Sequence, residues 1–103
     1  MLAEFSIIPV DKGMKLSQYV SEMLDIVDQS GLDYMLCPMG TLVEGDGERV
    51  WELIRRCHEK MADLSDRVLT TVRIDDKKGA TGQIQAKTAS VERKLGRPLT
   101  RTP

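Results

Sequence analysis

Apolar and polar residues alternate at the start of the chain. Phe5, Ile7 and Pro9 fall on one side, and Glu4, Ser6 and Ile8 on the other. That period of two is the signature of a strand, predicted here over residues 2–10. Asp11-Lys12-Gly13 carries turn chemistry. From about Met14 to Ser30 the period lengthens. Leu16, Tyr19, Val20, Met23, Leu24 and Val27 follow helical spacing, and Gly31 stands where a helix-ending glycine belongs. Leu32 to Met39 reads as a second strand, apolar on both faces, and Gly40 to Gly45 as a third, closed by Asp46-Gly47. Glu48 to Leu64 is a second amphipathic helix, with Val50, Leu53, Ile54, Cys57, Met61 and Leu64 as its buried stripe. Arg67 to Asp76 is a fourth strand in which Val68, Thr70, Val72 and Ile74 alternate with Leu69, Thr71, Arg73 and Asp75. A polar loop over residues 77–82 leads to a short last helix marked by Ile84, Thr88, Val91 and Leu95, which Gly96 and Pro98 stop.

The element order β-α-β-β-α-β predicts an α+β, ferredoxin-like sandwich. It has a four-stranded antiparallel sheet, both long helices on one face and an added C-terminal helix. The pattern leaves too many apolar positions for one face. Phe5, Tyr34, Leu36 and Leu42 cannot all lie under two helices if Ile8, Met35 and Val43 are buried as well. Two apolar faces on an antiparallel sheet imply contact with another subunit or with a ligand, so a homo-oligomer is expected.

Composition narrows the function. At 103 residues the chain is expected to form one domain over 1–103. Basic and acidic residues number 15 and 16, giving a net charge of −1, and aromatics make up only 4%. Nucleic-acid binding generally needs a basic surface, and single-strand binding needs stacking platforms, so neither is expected. Cys37 and Cys57 lack metal-site or redox-motif spacing and read as free thiols. The start has no basic leader and no apolar run is long enough to span a bilayer. A soluble, cytoplasmic protein without membrane insertion is the expectation.

The segment from Leu36 to Gly45 is the most informative stretch. Pro38-Met39-Gly40 breaks an apolar run, since proline lacks a ladder donor and glycine frees the backbone. Thr41 and Glu44 then fall on opposite faces of the strand that follows. Glu44 is out of place among β-branched neighbours; it is either a partner for a cation or a solvated strand-end carboxylate.

Four blocks of this chain resemble the small thiamine-binding protein family. The first is Ile7-Ile8-Pro9, with Leu16-Ser17-Gln18-Tyr19-Val20 opening the next helix. The second is Tyr34-Met35-Leu36-Cys37-Pro38-Met39-Gly40-Thr41-Leu42-Val43-Glu44-Gly45. The third is His58-Glu59, and the last runs from Arg67-Val68 through Thr71 and Ile74-Asp75-Asp76-Lys77-Lys78 to Lys87, Ser90-Val91 and Lys94-Leu95. Arg73 departs from the lysine common in that family; the charge is kept but the geometry differs. The resemblance implies a ferredoxin-like dimer or tetramer that binds thiamine or its hydroxymethylpyrimidine moiety, usually without catalysis and with no resident cofactor or metal.

Such a ligand joins a flat aminopyrimidine to a permanently cationic thiazolium, and it needs an apolar or aromatic wall, fixed hydrogen-bonding groups and a carboxylate. Candidate ligand-binding residues are therefore Tyr34, Met39, Thr41, Glu44, His58, Thr71, Arg73 and Asp75. Each has a plainer reading. Tyr34 either stacks on a ring or is a sheet aromatic whose hydroxyl reaches water. Met39 offers a soft wall, whereas the other methionines sit mostly on core positions. Thr41 follows a glycine that permits close approach, or simply suits a strand. His58, the only histidine, lies on the flank of a helix with Trp51 and cannot pair with its neighbour Cys57, since adjacent helical residues point about 100° apart. Thr71, Arg73 and Asp75 share a face with Glu4 and Ser6, where they line a cleft or form a salt bridge between subunits. No nucleophile–base–orienter spacing supports an enzyme. The alternative to a ligand-binding protein is a structural or regulatory oligomer acting through protein contacts.

Overall fold

The computed structural model describes residues 1–10 and 15–99. The elements in chain order are β1 (Leu2–Pro9), α1 (Leu16–Gln29), β2 (Asp33–Cys37), β3 (Gly40–Glu44), α2 (Gly47–Leu64), β4 (Val68–Asp75) and α3 (Gln83–Leu95). They form one antiparallel sheet in the order β2-β3-β1-β4, the ferredoxin-like arrangement expected from the element order. The predicted turn at Asp11-Lys12-Gly13 and the helix start at Met14 lie outside the described residues.

Strand register sorts the side chains into two faces. Ala3 pairs with Val43 and Ile74, and Phe5 with Thr41 and Val72. These rows lie under α1 and α2. The core is Ala3, Phe5, Ile7 and Val43 from the sheet against Tyr19, Met23 and Val27 from α1 and Val50, Leu53, Ile54, Cys57 and Met61 from α2. The two helical stripes read from the sequence thus meet above the sheet. Burying each large side chain contributes roughly 1.5–3 kcal/mol. Tyr19 brings a hydroxyl into this layer and donates it to the Leu64 carbonyl at 3.0 Å, so the two helices are linked at the end of α2. The opposite, open face carries two long rows across the sheet. One runs Met35–Leu42–Glu4–Arg73 and the other Asp33–Glu44–Leu2–Asp75. Ser6–Thr71 and Ile8–Leu69 continue that face toward the far end of β1.

Two expectations change. First, β2, read as apolar on both faces, is an edge strand, and its Tyr34 and Leu36 are exposed. An apolar strand with only one neighbour cannot be covered on both faces by helices that centre on β1 and β3. Second, the open face is not uniformly apolar. Glu4, Arg73, Asp75 and Glu44 occupy its middle and one end, and α3 covers part of that end by turning onto the sheet from the side away from α1 and α2. Apolar exposure is concentrated at Ile8 and Leu69, each about half accessible. Met39, expected as a wall residue, is 88% exposed at the tip of the β2–β3 turn.

Gly40 shows why that turn has its sequence. A Cβ there would sit 3.2 Å from the Phe5 carbonyl oxygen and 3.4 Å from Glu4 Cγ, so the close pass of β3 beside β1 leaves a side chain little room without displacing that backbone.

Candidate functional site

The eight predicted residues divide by face. Tyr34 and Thr41 project toward the helical layer, Glu44, Thr71, Arg73 and Asp75 toward the open face, His58 lies on α2 and Met39 at the turn. The structure therefore brings together the open-face group and leaves the other four apart from it.

Two of that group, Arg73 and Asp75, border a groove of about 400 Å³ whose floor is Leu2, Glu4, Leu42, Arg73 and Asp75 and whose wall is Gln83, Ile84 and Thr88 of α3; Thr71 and Glu44 lie on the same face outside its lining. That size is within the range of small-molecule sites. Glu4 lies between Leu42 and Arg73 on adjoining strands and pairs with the Arg73 guanidinium at 3.6 Å. Both partners are solvated, with side chains 41% and 80% exposed, so this pair contributes little to stability and is free to rearrange around a ligand. Asp33, Glu44 and Asp75 share one row across the sheet, with Asp33 directly opposite Glu44. Like charges facing each other across strands repel, and the row gives this end of the groove a negative field.

Glu44 has neither of the environments expected of it. It is only 7% exposed, and its carboxylate accepts hydrogen bonds from the Gln83 amide at 2.9 Å and the Ile84 amide at 3.2 Å. These are the first two amides of α3, so a β3 side chain caps a helix some forty residues further along the chain. The ladder around Glu44 is closed by Met1, which exchanges hydrogen bonds with Gly45 at 2.9 and 3.1 Å.

The remaining candidates sit elsewhere. Tyr34 donates its hydroxyl to Asp28 at 2.7 Å, and that hydrogen bond, ahead of desolvation and the carboxylate's charge, raises its pKa above the ordinary phenol value. His58 Nδ1 and Thr70 Oγ1 are 2.6 Å apart, and both border a shallow recess with Trp51, the flank shared by His58 and Trp51 that helical spacing predicts. Thr41 is 1% exposed and borders, with Met39, an apolar cleft of about 510 Å³ between the start of α1 and the β2–β3 turn. That cleft is larger than the groove, but Phe5, Ile7, Leu16, Val20, Met23 and Leu36 dominate it, and among the described residues no charged side chain borders it. Cys57 is buried, and burial pushes its thiol up to about 11, partly offset by the charge of Arg56. Among the described residues no group of three or more His, Cys, Asp or Glu side chains could hold a metal ion. No helix among them is long and apolar enough to cross a membrane.

Sequence reasoning missed the α3 wall. Ile84 and Thr88 were legible as one helical stripe, but nothing in their spacing says which face of the sheet that stripe meets.

Residues 3–92 match the family of thiamine-binding proteins. The chain belongs to that family. It is 30% identical over 91 residues to the UPF0045 protein MJ1052 of Methanocaldococcus jannaschii, covering 88% of this chain and 91% of that one. The crystal structure of MJ1052 superposes with a TM-score of 0.79 over 87% of this chain and 93% of its own. A UPF0045 protein of Mycobacterium tuberculosis is 33% identical over 99 residues, 95% of this chain and 97% of the relative. A protein of Thermotoga maritima shares the fold at a TM-score of 0.77 with 19% identity, over 87% of this chain and 96% of that one.

Proposed function

We propose that this protein binds thiamine or its hydroxymethylpyrimidine moiety, without chemical conversion, in the groove between the open sheet face and α3. The observation that carries the reading is the combination of apolar surface from Leu42 and Ile84 with the carboxylates Glu4 and Asp75 in one groove, in a chain of the thiamine-binding family. Leu42 and Ile84 give a flat ring apolar surface to lie against. Glu4 and Asp75 supply negative charge for the thiazolium, and the Thr88 hydroxyl and Arg73 guanidinium supply directional hydrogen bonds to ring nitrogens and the hydroxyethyl group. Glu4 is the residue that would face the cation most directly, since it occupies the central strand. Thr71, one row away, borders the same face.

The apolar cleft near Met39 and Thr41 is a poorer match for this ligand, because its described lining offers no counter-charge and burying a permanent cation unpaired is costly. Tyr34, His58 and the recess beside Trp51 lie outside the groove, and they are assigned no ligand contact in this reading.

Calorimetry with thiamine tests it. Binding is expected, with competition by hydroxymethylpyrimidine, and Glu4→Gln is expected to weaken thiamine about tenfold through loss of a charge-assisted contact. No heat and no competition up to millimolar ligand would sink the proposal.

A second component of the reading concerns assembly. The half-accessible Ile8 and Leu69 are direct partners across β1 and β4 and lie on the open face beyond the groove. We propose that this end is covered in a cytoplasmic homodimer or homotetramer. The same patch favours the rival reading of an oligomer that acts through protein contacts alone, which stands if thiamine fails to bind.

A further inference from the structure

We infer that Glu44 is a positioning residue for the groove. It acts on ligand binding by holding α3 against the sheet, not by touching the ligand. This rests on the groove being the thiamine site, and four observations on the chain's own geometry lead to it.

The N-terminus of α3 lacks any local cap. Its N-cap position is Gly82, in the left-handed region at φ 64°, with no side-chain hydrogen bond, and no acidic residue occupies the first turn. Exposed helix starts ordinarily recruit Ser, Thr, Asp or Asn at that position. Here the two donors are met instead by Glu44, through both oxygens of one carboxylate. A cap supplied from another element is also a tether, because it fixes where the helix begins relative to β3.

The second observation is electrostatic. Glu44 stands directly opposite Asp33 and in the same row as Asp75. Three carboxylates in one row raise the free energy of a nearly buried member unless positive charge approaches it. The partial positive charge at the α3 N-terminus contributes to that, beside Lys77, which borders the same pocket as Glu44 and Asp75, so α3 gains by starting at this point of the face.

Third, the residues immediately downstream of the tether are the groove wall. Gln83 and Ile84 donate to Glu44 and border the groove, and Thr88 follows one turn later on the same side. The position of Glu44 thus sets the groove's width.

Fourth, the far half of α3 buries little apolar surface among the described residues. Beyond Thr88 its apolar stripe continues to Val91 and Leu95, which are 46% and 50% exposed. Removing the tether leaves a helix with little apolar burial to keep it in place.

The test compares the wild-type protein with Glu44→Gln, which keeps the side chain's volume and one acceptor but turns a donor toward the second amide. Two quantities are read: hydrogen exchange at the amides of residues 84–92, and the thiamine dissociation constant. Exchange in β1 and β4 monitors the core. The expected result is α3 exchange faster by about tenfold or more, an unchanged core, and thiamine binding weakened by about tenfold.

Weakened thiamine binding with α3 exchange unchanged would make Glu44 a direct contact and overturn the inference. Faster α3 exchange with unchanged affinity would also overturn it, since α3 would then not be the wall. Unchanged values in both would show that the tether carries no energy. If the wild-type protein gives no heat with thiamine, the ligand reading alone is lost. The exchange arm then decides whether Glu44 holds the wall. As a further check, Glu44→Ala should speed α3 exchange at least as much as Glu44→Gln; an Ala variant with wild-type exchange would again overturn the tether.

Discussion

Cys57 illustrates how a single side chain reports its surroundings. It is fully buried between α2 and α1, with its thiol 3.9 Å from the Met23 carbonyl, and its pKa is pushed up to about 11 from 9.0. The folded thiol therefore keeps its proton in a range where the unfolded thiol loses it. Between about pH 9 and 11 the unfolded state binds fewer protons, so stability falls as pH rises. The slope is at most about 1.4 kcal/mol per pH unit. Urea unfolding across that window, with Cys57→Ala as reference, should show the slope in the native sequence and lose this contribution in the variant. Cys37 differs, being half-buried at the turn end of β2. With a thiol reagent at neutral pH, Cys37 should react first and Cys57 only after unfolding. Both cysteines were readable as free thiols from their spacing, but their unequal accessibility depends on which layer each strand and helix joins.

Among the elements, β3 does the most. It is an inner strand, it supplies Thr41 and Val43 to the core, and it sends Glu44 to the other face to meet α3. Its entry depends on Gly40. Gly40→Ala would bring a methyl group against the Phe5 carbonyl, and a paired backbone cannot withdraw as a flexible side chain can. A loss of about 1–3 kcal/mol is expected, measured by urea denaturation; an unchanged midpoint would show that β1 and β3 can separate without cost. The alternation in β1 and β4 and the stripes of α1 and α2 were legible because period and burial coincide there. The β2 pattern misled, since an apolar edge strand looks like an inner one in sequence. What distinguishes them is the number of neighbours, which is a property of the sheet order.

For the molecule as a whole, α1 and α2 cover the centre of one sheet face, and the other is only partly covered. α3 shields one end of the open face, and the groove follows from that placement, whereas the acidic row follows from strand register. At the other end Ile8 and Leu69 remain exposed as a pair. If this end is the proposed subunit contact, light scattering will find a dimer or larger species in the native sequence. Placing like charges there with Ile8→Glu and Leu69→Glu together should shift the protein to monomer while its far-UV signal is retained. A wild-type monomer would remove the assembly proposal. A variant that keeps its oligomeric mass would move the contact elsewhere.

Local periodicity decided the elements, their order, both helical core stripes and the sharing of one face by Glu4, Ser6, Thr71, Arg73 and Asp75. Those features arise from side-chain geometry repeated every two or 3.6 residues, which a linear chain displays directly. The family's characteristic segment likewise pointed to Glu44 before any fold was known. Which face α3 joins, that β2 stands at an edge and that Glu44 caps a helix were decided only in three dimensions. Each depends on groups brought together from distant parts of the chain, and no local period encodes such a meeting. Glu44 was conspicuous in sequence because a carboxylate fits badly in a strand; the tertiary structure supplied the two helix amides that resolve the misfit.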